Sequence, residues 1–209
     1  MKENIIKVIK PFGPAIGHIK IPLEIISKLN NYVDKIIIDH KKNINLDHGS
    51  MLVGNVSNEL RLEEKILNES GFGSFLANSS GKWIELIEKK RINKFQIINS
   101  WIVRQFKNEY NPIHQHGGHI SGVGYLKVPK TYGNTIQKDK TNNNGCLELI
   151  NGQRSFLQRT TLTITPVVGD FYLFPHYLSH CVYPFSETDE ERRSISFNAV
   201  IDDSIYNLI

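Results

Sequence analysis

The sequence predicts a mainly β protein, an antiparallel sandwich or barrel with helices packed outside it. Two observations carry that reading. From residue 95 onward the chain is written in short β-branched and aromatic runs broken by turn residues: KFQIINSWIVRQF, HISGVGYLKV, GCLELI, TLTITPVVGDFYLFP, HCVYPF and RRSISFNAVI. Short strands at near-regular spacing are the mark of such a β architecture. Before residue 95, apolar residues recur at helical spacing instead. The 209 residues suit one domain. It divides into N-terminal strands and supporting helices over 1–94 and a β core over 95–209.

Taken in order, NIIKVIKPFGPAIGHIKI is rich in Ile and Val and broken by Pro11, Gly13 and Pro14, which predicts one or two short strands around a turn. Pro22 then opens PLEIISKLNNYVDKIII, where apolar residues at 23, 26, 29, 33 and 36 follow a helical spacing. Proline suits the first turn of a helix because it has no N–H to leave unpaired there. A polar stretch around Gly49 and Gly54 reads as loop. SNELRLEEKILNE reads as a helix capped by Ser57, and residues 72–90 as another with a break near Gly81. Between the strands of the second half, GNTIQKDKTNNNG is a polar surface loop.

Composition excludes several classes. Hydrophobic residues make up 40 % and charged residues 22 %, which is neither a disordered nor a membrane composition. No apolar run is long enough to span a bilayer, and the opening MKENIIKVIKPFG lacks the apolar centre of a secretory leader. Two cysteines, Cys146 and Cys181, make no disulfide framework, so a reducing cytoplasm is the expected location. The net charge of +4 is spread without a basic block, and nucleic-acid binding is not expected.

The candidate chemistry sits in HQHGGHISGVGYL, which places three of the chain's eight histidines within six residues. In an extended segment residues two apart share a face, so His114 and His116 can turn their imidazoles the same way. A third donor can come from FPHYLSHCV, through His176 or His180. Imidazole suits Fe, Zn, Cu and Ni alike. Farther on, RRSISFN puts Arg192, Ser194, Ser196 and Asn198 on one face of a strand, with Arg193, Ile195 and Phe197 on the other. A wholly polar face inside a sandwich is costly without a ligand to satisfy it. A guanidinium flanked by hydroxyls suits a carboxylate, because it offers two parallel donors. Arg193 is expected to face outward.

These two blocks, HQHGGHISGVGYLKVP and PVVGDFYLFPHYLSHCVYPF…RRSISFN, resemble the Fe(II)- and 2-oxoglutarate-dependent oxygenases, in particular a group from marine phages and bacteria that is similar to prolyl hydroxylases. The resemblance covers about half the chain, from Trp101 to Asn198. It implies a double-stranded β-helix (jelly-roll) core, Fe(II) as metal and 2-oxoglutarate as cosubstrate. By the same resemblance His114, His116 and His180 hold the metal, Arg192 with Ser194 or Ser196 binds 2-oxoglutarate, and Tyr125 touches the remote carboxylate. The chain departs from the common pattern at His116, where the family more often has Asp or Glu, and His119 is the rival for that place.

The implied reaction converts 2-oxoglutarate to succinate and CO2 while a C–H bond of a substrate is hydroxylated, with a peptide or protein side chain such as proline as a candidate. The implied location is then a cytoplasm, that of a bacterial host if the gene is a phage's. Two other readings remain open: a three-histidine cupin-like dioxygenase or isomerase that does not use 2-oxoglutarate, and a non-catalytic metal- or ligand-binding jelly roll. Loops 131–145 and 40–56 are the expected lids.

Overall fold

The computed structural model describes residues 13–135, 137 and 139–207. The first half of the expected N-terminal strand pair lies outside them. Among the described residues, ten strands form two antiparallel sheets. The larger contains β1 (Gly17–Lys20), β2 (Asn58–Arg61), β3 (Phe95–Gln105), β5 (Ile120–Lys127), β8 (Asp170–Pro175) and β10 (Arg192–Ile201), in the order β1-β8-β5-β10-β3-β2. The smaller contains β4 (Asn111–His114), β6 (Leu147–Ile150), β7 (Thr161–Ile164) and β9 (Ser179–Val182), in the order β4-β9-β6-β7. The architecture is the double-stranded β-helix that the sequence blocks imply.

Helices cover the outer face of the larger sheet. They are α1 (Leu23–Ile38), α2 (His40–Leu46), α3 (Glu64–Ser70) and α4 (Phe72–Glu88), with a single turn, α5 (Asp203–Tyr206), after β10. Helix α1 buries Ile25, Ile26, Leu29, Val33 and Ile36, a 3–4 spacing that gives one apolar stripe. Leu23, expected on that stripe, is 80 % exposed. The helices pack against Ile102, Phe171, Leu173, Ile195 and Phe197 from the strands below. A second apolar cluster, with Val123, Leu147, Leu149, Ile164 and Phe174, fills the space between the sheets. No helix among the described residues is long and apolar enough to cross a membrane.

The N-terminal region corrects the sequence reading in three places. The run expected as one helix from Ser57 begins instead with β2, which pairs with β3 (Leu60 opposite Ile102), and the helix starts only after Glu63. Pairing to a long, buried strand outweighs weak local helix preference over four residues. Helix α4 runs unbroken through Gly81. Part of the expected loop at 40–56 is helical, in α2 and a 3-10 turn at Gly49–Met51.

The other correction concerns Arg193. It is 1 % exposed, not turned to solvent. Alternation along β10 does send it to the opposite face from Arg192, but β10 is central and that face lies under α1. There Arg193 makes two bonds to Glu191, each 2.9 Å, one of 2.7 Å to Asp34 and one of 3.0 Å to the Asn30 side chain. Glu191 also accepts from Arg104 at 2.7 Å.

Candidate active site

The two sheets position the site residues from opposite walls. On the smaller sheet β4 pairs with β9 so that His114 lies directly opposite His180. His116 follows two residues later, its backbone N–H bonded to the His176 carbonyl at 3.0 Å. One nitrogen from each of His114, His116 and His180 lies within 4.8 Å of the others. Gly118 then turns the chain with φ of +92°, and a Cβ there would meet the Ala199 carbonyl oxygen at 2.9 Å. That turn carries His119 away from the cluster. Its ring stacks on Tyr206 with centroids 3.8 Å apart, and its Nδ1 accepts from the Ile201 N–H. His176 faces away as well, donating from Nδ1 to the His116 carbonyl and accepting at Nε2 from the Tyr206 hydroxyl, 2.8 Å away.

The three clustered rings suit a metal cation. His114 donates from Nδ1 to the Pro112 carbonyl at 2.7 Å and His180 from Nδ1 to the Leu178 carbonyl at 2.8 Å, so both Nε2 atoms carry a free lone pair. The Nε2 atoms of His116 and His180 stand 3.0 Å apart. Burial first, and then neighbouring histidines, push the pKa of His116 down to about 3 and that of His180 down to about 4. Burial lowers His114 too. All three are therefore neutral near pH 7, which is the form that binds a metal.

Facing them across a cavity of about 250 Å³ is the polar face of β10. Arg192, Ser194, Ser196 and Asn198 all line it, beside Trp101 and Val103 of β3. Arg192 is 1 % exposed. It donates to the Gly145 carbonyl at 3.1 Å and to the Ser194 hydroxyl at 3.3 Å, while its Nη2 has no partner among the described residues. The Tyr125 ring lies against the guanidinium, 5.1 Å from the centroid. The Tyr125 hydroxyl is also buried without a partner, and burial raises its pKa well above the usual value for a phenol. A buried guanidinium with no carboxylate, next to a buried unpaired hydroxyl, is a site short of an anion. The donor set thus fits both a metal and a dicarboxylate.

Residues 99–198 match the family model described as "Putative 2OG-Fe(II) oxygenase". They form a 2OG-Fe(II) oxygenase domain. The cofactor of this oxygenase is Fe(II) and its cosubstrate 2-oxoglutarate. Solved structures agree on the fold. A prolyl hydroxylase from Trichoplax adhaerens, in complex with a hypoxia inducible factor peptide fragment, aligns with a TM-score of 0.59 at 12 % identity, over 92 % of this chain and 86 % of that one. A Pseudomonas putida prolyl-4-hydroxylase gives 0.55 at 12 % identity, over 88 % and 91 %. HygX from Streptomyces hygroscopicus, solved with nickel and 2-oxoglutarate, gives 0.55 at 8 % identity, over 90 % and 82 %. No curated protein matches the oxygenase in sequence.

Sequence reasoning overlooked several residues in or beside the cavity. Trp101 packs against His116 with ring centroids 5.5 Å apart. Alternation along β3, which puts Asn99, Trp101, Val103 and Gln105 on one face, could have found it. Tyr132, from the loop expected as a lid, lies near Arg192, and its hydroxyl is buried without a partner among the described residues. Glu59 of β2 also lines the cavity. It was hidden by the reading of its segment as a helix.

Proposed function

We propose that this oxygenase hydroxylates a C–H bond of a peptide or protein side chain, proline among the candidates, with His114, His116 and His180 holding Fe(II). The observation that carries the reading is the buried Arg192 guanidinium, with no carboxylate partner and its Nη2 unpaired among the described residues, on the opposite wall of the cavity from the three converging histidines. When bound, the iron would let O2 serve as the oxidant, one oxygen atom entering the succinate formed as 2-oxoglutarate loses CO2 and the other the substrate C–H bond. The protein binds, orients and shields.

Arg192 fixes the remote carboxylate of 2-oxoglutarate through the donor now left free, with the Tyr125 hydroxyl as a second donor and Ser194 holding the guanidinium in place. Ser196 lines the same face. Fixing the far end of the cosubstrate sets where its metal-binding end lies, which is an orientation effect and not proton transfer. Trp101, Val123, Leu147 and Phe174 add apolar wall to the cavity, which helps keep bulk water from the reacting centre. A cupin-like enzyme that does without 2-oxoglutarate would leave Arg192 buried and unpaired. The peptide preference leans on the peptide-bound Trichoplax relative. The two free cysteines fit a reducing cytoplasm.

The test has two parts. Titration of 2-oxoglutarate into the Mn-loaded protein without oxygen should give one site. With Fe(II) and oxygen, a peptide library should yield succinate together with products heavier by one oxygen atom. No 2-oxoglutarate binding to the metal-loaded protein would overturn the reading.

A further inference from the structure

Among the described residues, Glu59 is buried, 1 % exposed, with both carboxylate oxygens unsatisfied. An unpaired buried charge costs several kcal/mol unless a ligand completes it. Its place in the sheet explains why Arg192 does not do so. Glu59 pairs across β2–β3 with Val103, and Val103 pairs across β3–β10 with Ser194. Glu59 therefore stands two strands from β10, about 10 Å at the usual strand spacing. One cavity thus holds a buried carboxyl group and a buried guanidinium, neither with an ionic partner among the described residues and too far apart to pair with each other.

The surroundings of Glu59 are acceptors. Gln105 donates its Nε2 to the carbonyls of Glu109 and Tyr183, at 2.6 and 3.1 Å, which fixes the amide and leaves its Oε1 buried and unpartnered. Farther along β3, Asn99 Oδ1 is likewise buried and unpartnered, and both residues line the same cavity. Asp47 and Glu109 are close enough for their charges to act on Glu59. Gly54 keeps the approach open, since a Cβ there would lie 2.9 Å from Glu59 Oε1 and 2.8 Å from Asn111 Oδ1. Acceptors under negative potential call for a ligand with several N–H donors and a positive charge. An internal proline offers neither, because its nitrogen carries no proton.

We infer that Glu59 is the substrate-recognition residue of this oxygenase, and that the substrate presents a cationic nitrogen, an ammonium or a guanidinium, to it. The inference rests on the oxygenase reading for the word substrate, while the cation site itself stands on Glu59 and its neighbours. The cation belongs either to a free basic amino acid or to a lysine or arginine residue of a peptide.

The experiment is calorimetric titration of the full chain, both metal-free and loaded with Zn and 2-oxoglutarate. The probes are lysine and arginine with their neutral counterparts norleucine and citrulline, each free and within a short blocked peptide. The cationic probes should bind at least tenfold more tightly than their neutral counterparts. Because burial holds part of Glu59 protonated near neutral pH, their binding should release protons, seen as a heat that depends on the buffer. Both effects should vanish in Glu59→Gln, and Gly54→Ala should weaken cation binding by crowding the carboxylate. The tighter of the free and peptide series identifies the source of the cation. Equal binding of norleucine and lysine, no cation binding to wild type, or an undiminished preference in Glu59→Gln would overturn the inference. Cation binding without 2-oxoglutarate binding would instead overturn the oxygenase reading and leave the Glu59 site standing.

Discussion

Arg192 and Arg193 are neighbours in sequence, equally buried, and should fail in opposite ways. Arg193→Ala removes a guanidinium that holds Glu191 through two bonds and Asp34 through one. Breaking a buried ion pair costs ~3–5 kcal/mol. Here the lower end applies, because Glu191 keeps Arg104 at 2.7 Å and Asp34 is 60 % exposed and regains water. For a chain of this size ~3 kcal/mol lowers the melting temperature by ~6–12 °C. Arg192→Ala removes a charge with no carboxylate partner, so the metal-free fold should change by less than ~1 kcal/mol. Its affinity for 2-oxoglutarate should fall by ~2–5 kcal/mol, at least thirtyfold. Arg192→Lys should restore only part, since an ammonium cannot present two parallel donors. The assays are urea unfolding of the metal-free proteins and anaerobic titration of 2-oxoglutarate into the Mn-loaded ones. Unchanged stability in Arg193→Ala, or a loss of 2-oxoglutarate affinity confined to it, would refute the assignment of faces.

Three further outcomes follow from the site. His114→Ala, His116→Ala and His180→Ala should each lose stoichiometric metal while His119→Ala keeps it, as metal analysis after dialysis will report. Glu59 is raised from 4.5 to about 7, by burial first and then by Asp47 and Glu109. Its folded form therefore holds a proton that the unfolded chain has already released, so the contribution of Glu59 to stability is fully present below about pH 4.5 and is lost as pH rises through 7. The cost, ~3 kcal/mol at most, should disappear from the pH profile of unfolding in Glu59→Gln. Gly118→Ala should lower both stability and metal content, because φ of +92° and the Ala199 carbonyl leave no room for a Cβ.

Much of the site was legible because its residues lie on strands whose alternation is strict. The HxH spacing and the polar face of RRSISFN are local patterns, and the fold brings both to one cavity. Alternation also separated Arg192 from Arg193, but it cannot say which faces are covered. That depends on α1 lying over β10, a contact between residues 163 apart in sequence at Arg193 and Asn30. Strand β2 was illegible for a related reason. Its four residues carry little signal of their own and become a strand only beside β3. Gly81 predicted a break that α4 does not show, since the packing of Phe72, Leu76, Trp83 and Ile84 stabilises the helix on both sides of it.

The helical turn α5 is wired to the loop that carries His116. Tyr206 stacks on His119 and donates to His176, and His176 in turn holds the carbonyl of His116. Two hydrogen bonds thus run from α5 to the backbone of a proposed ligand. Clipping the chain after Ile201 would free His176 to rotate and release the His116 carbonyl, although no residue of the cavity wall had been touched. Iron retention then becomes a gauge of tail integrity, and a tag fused behind Tyr206 would pull on the ligand loop through the same two bonds.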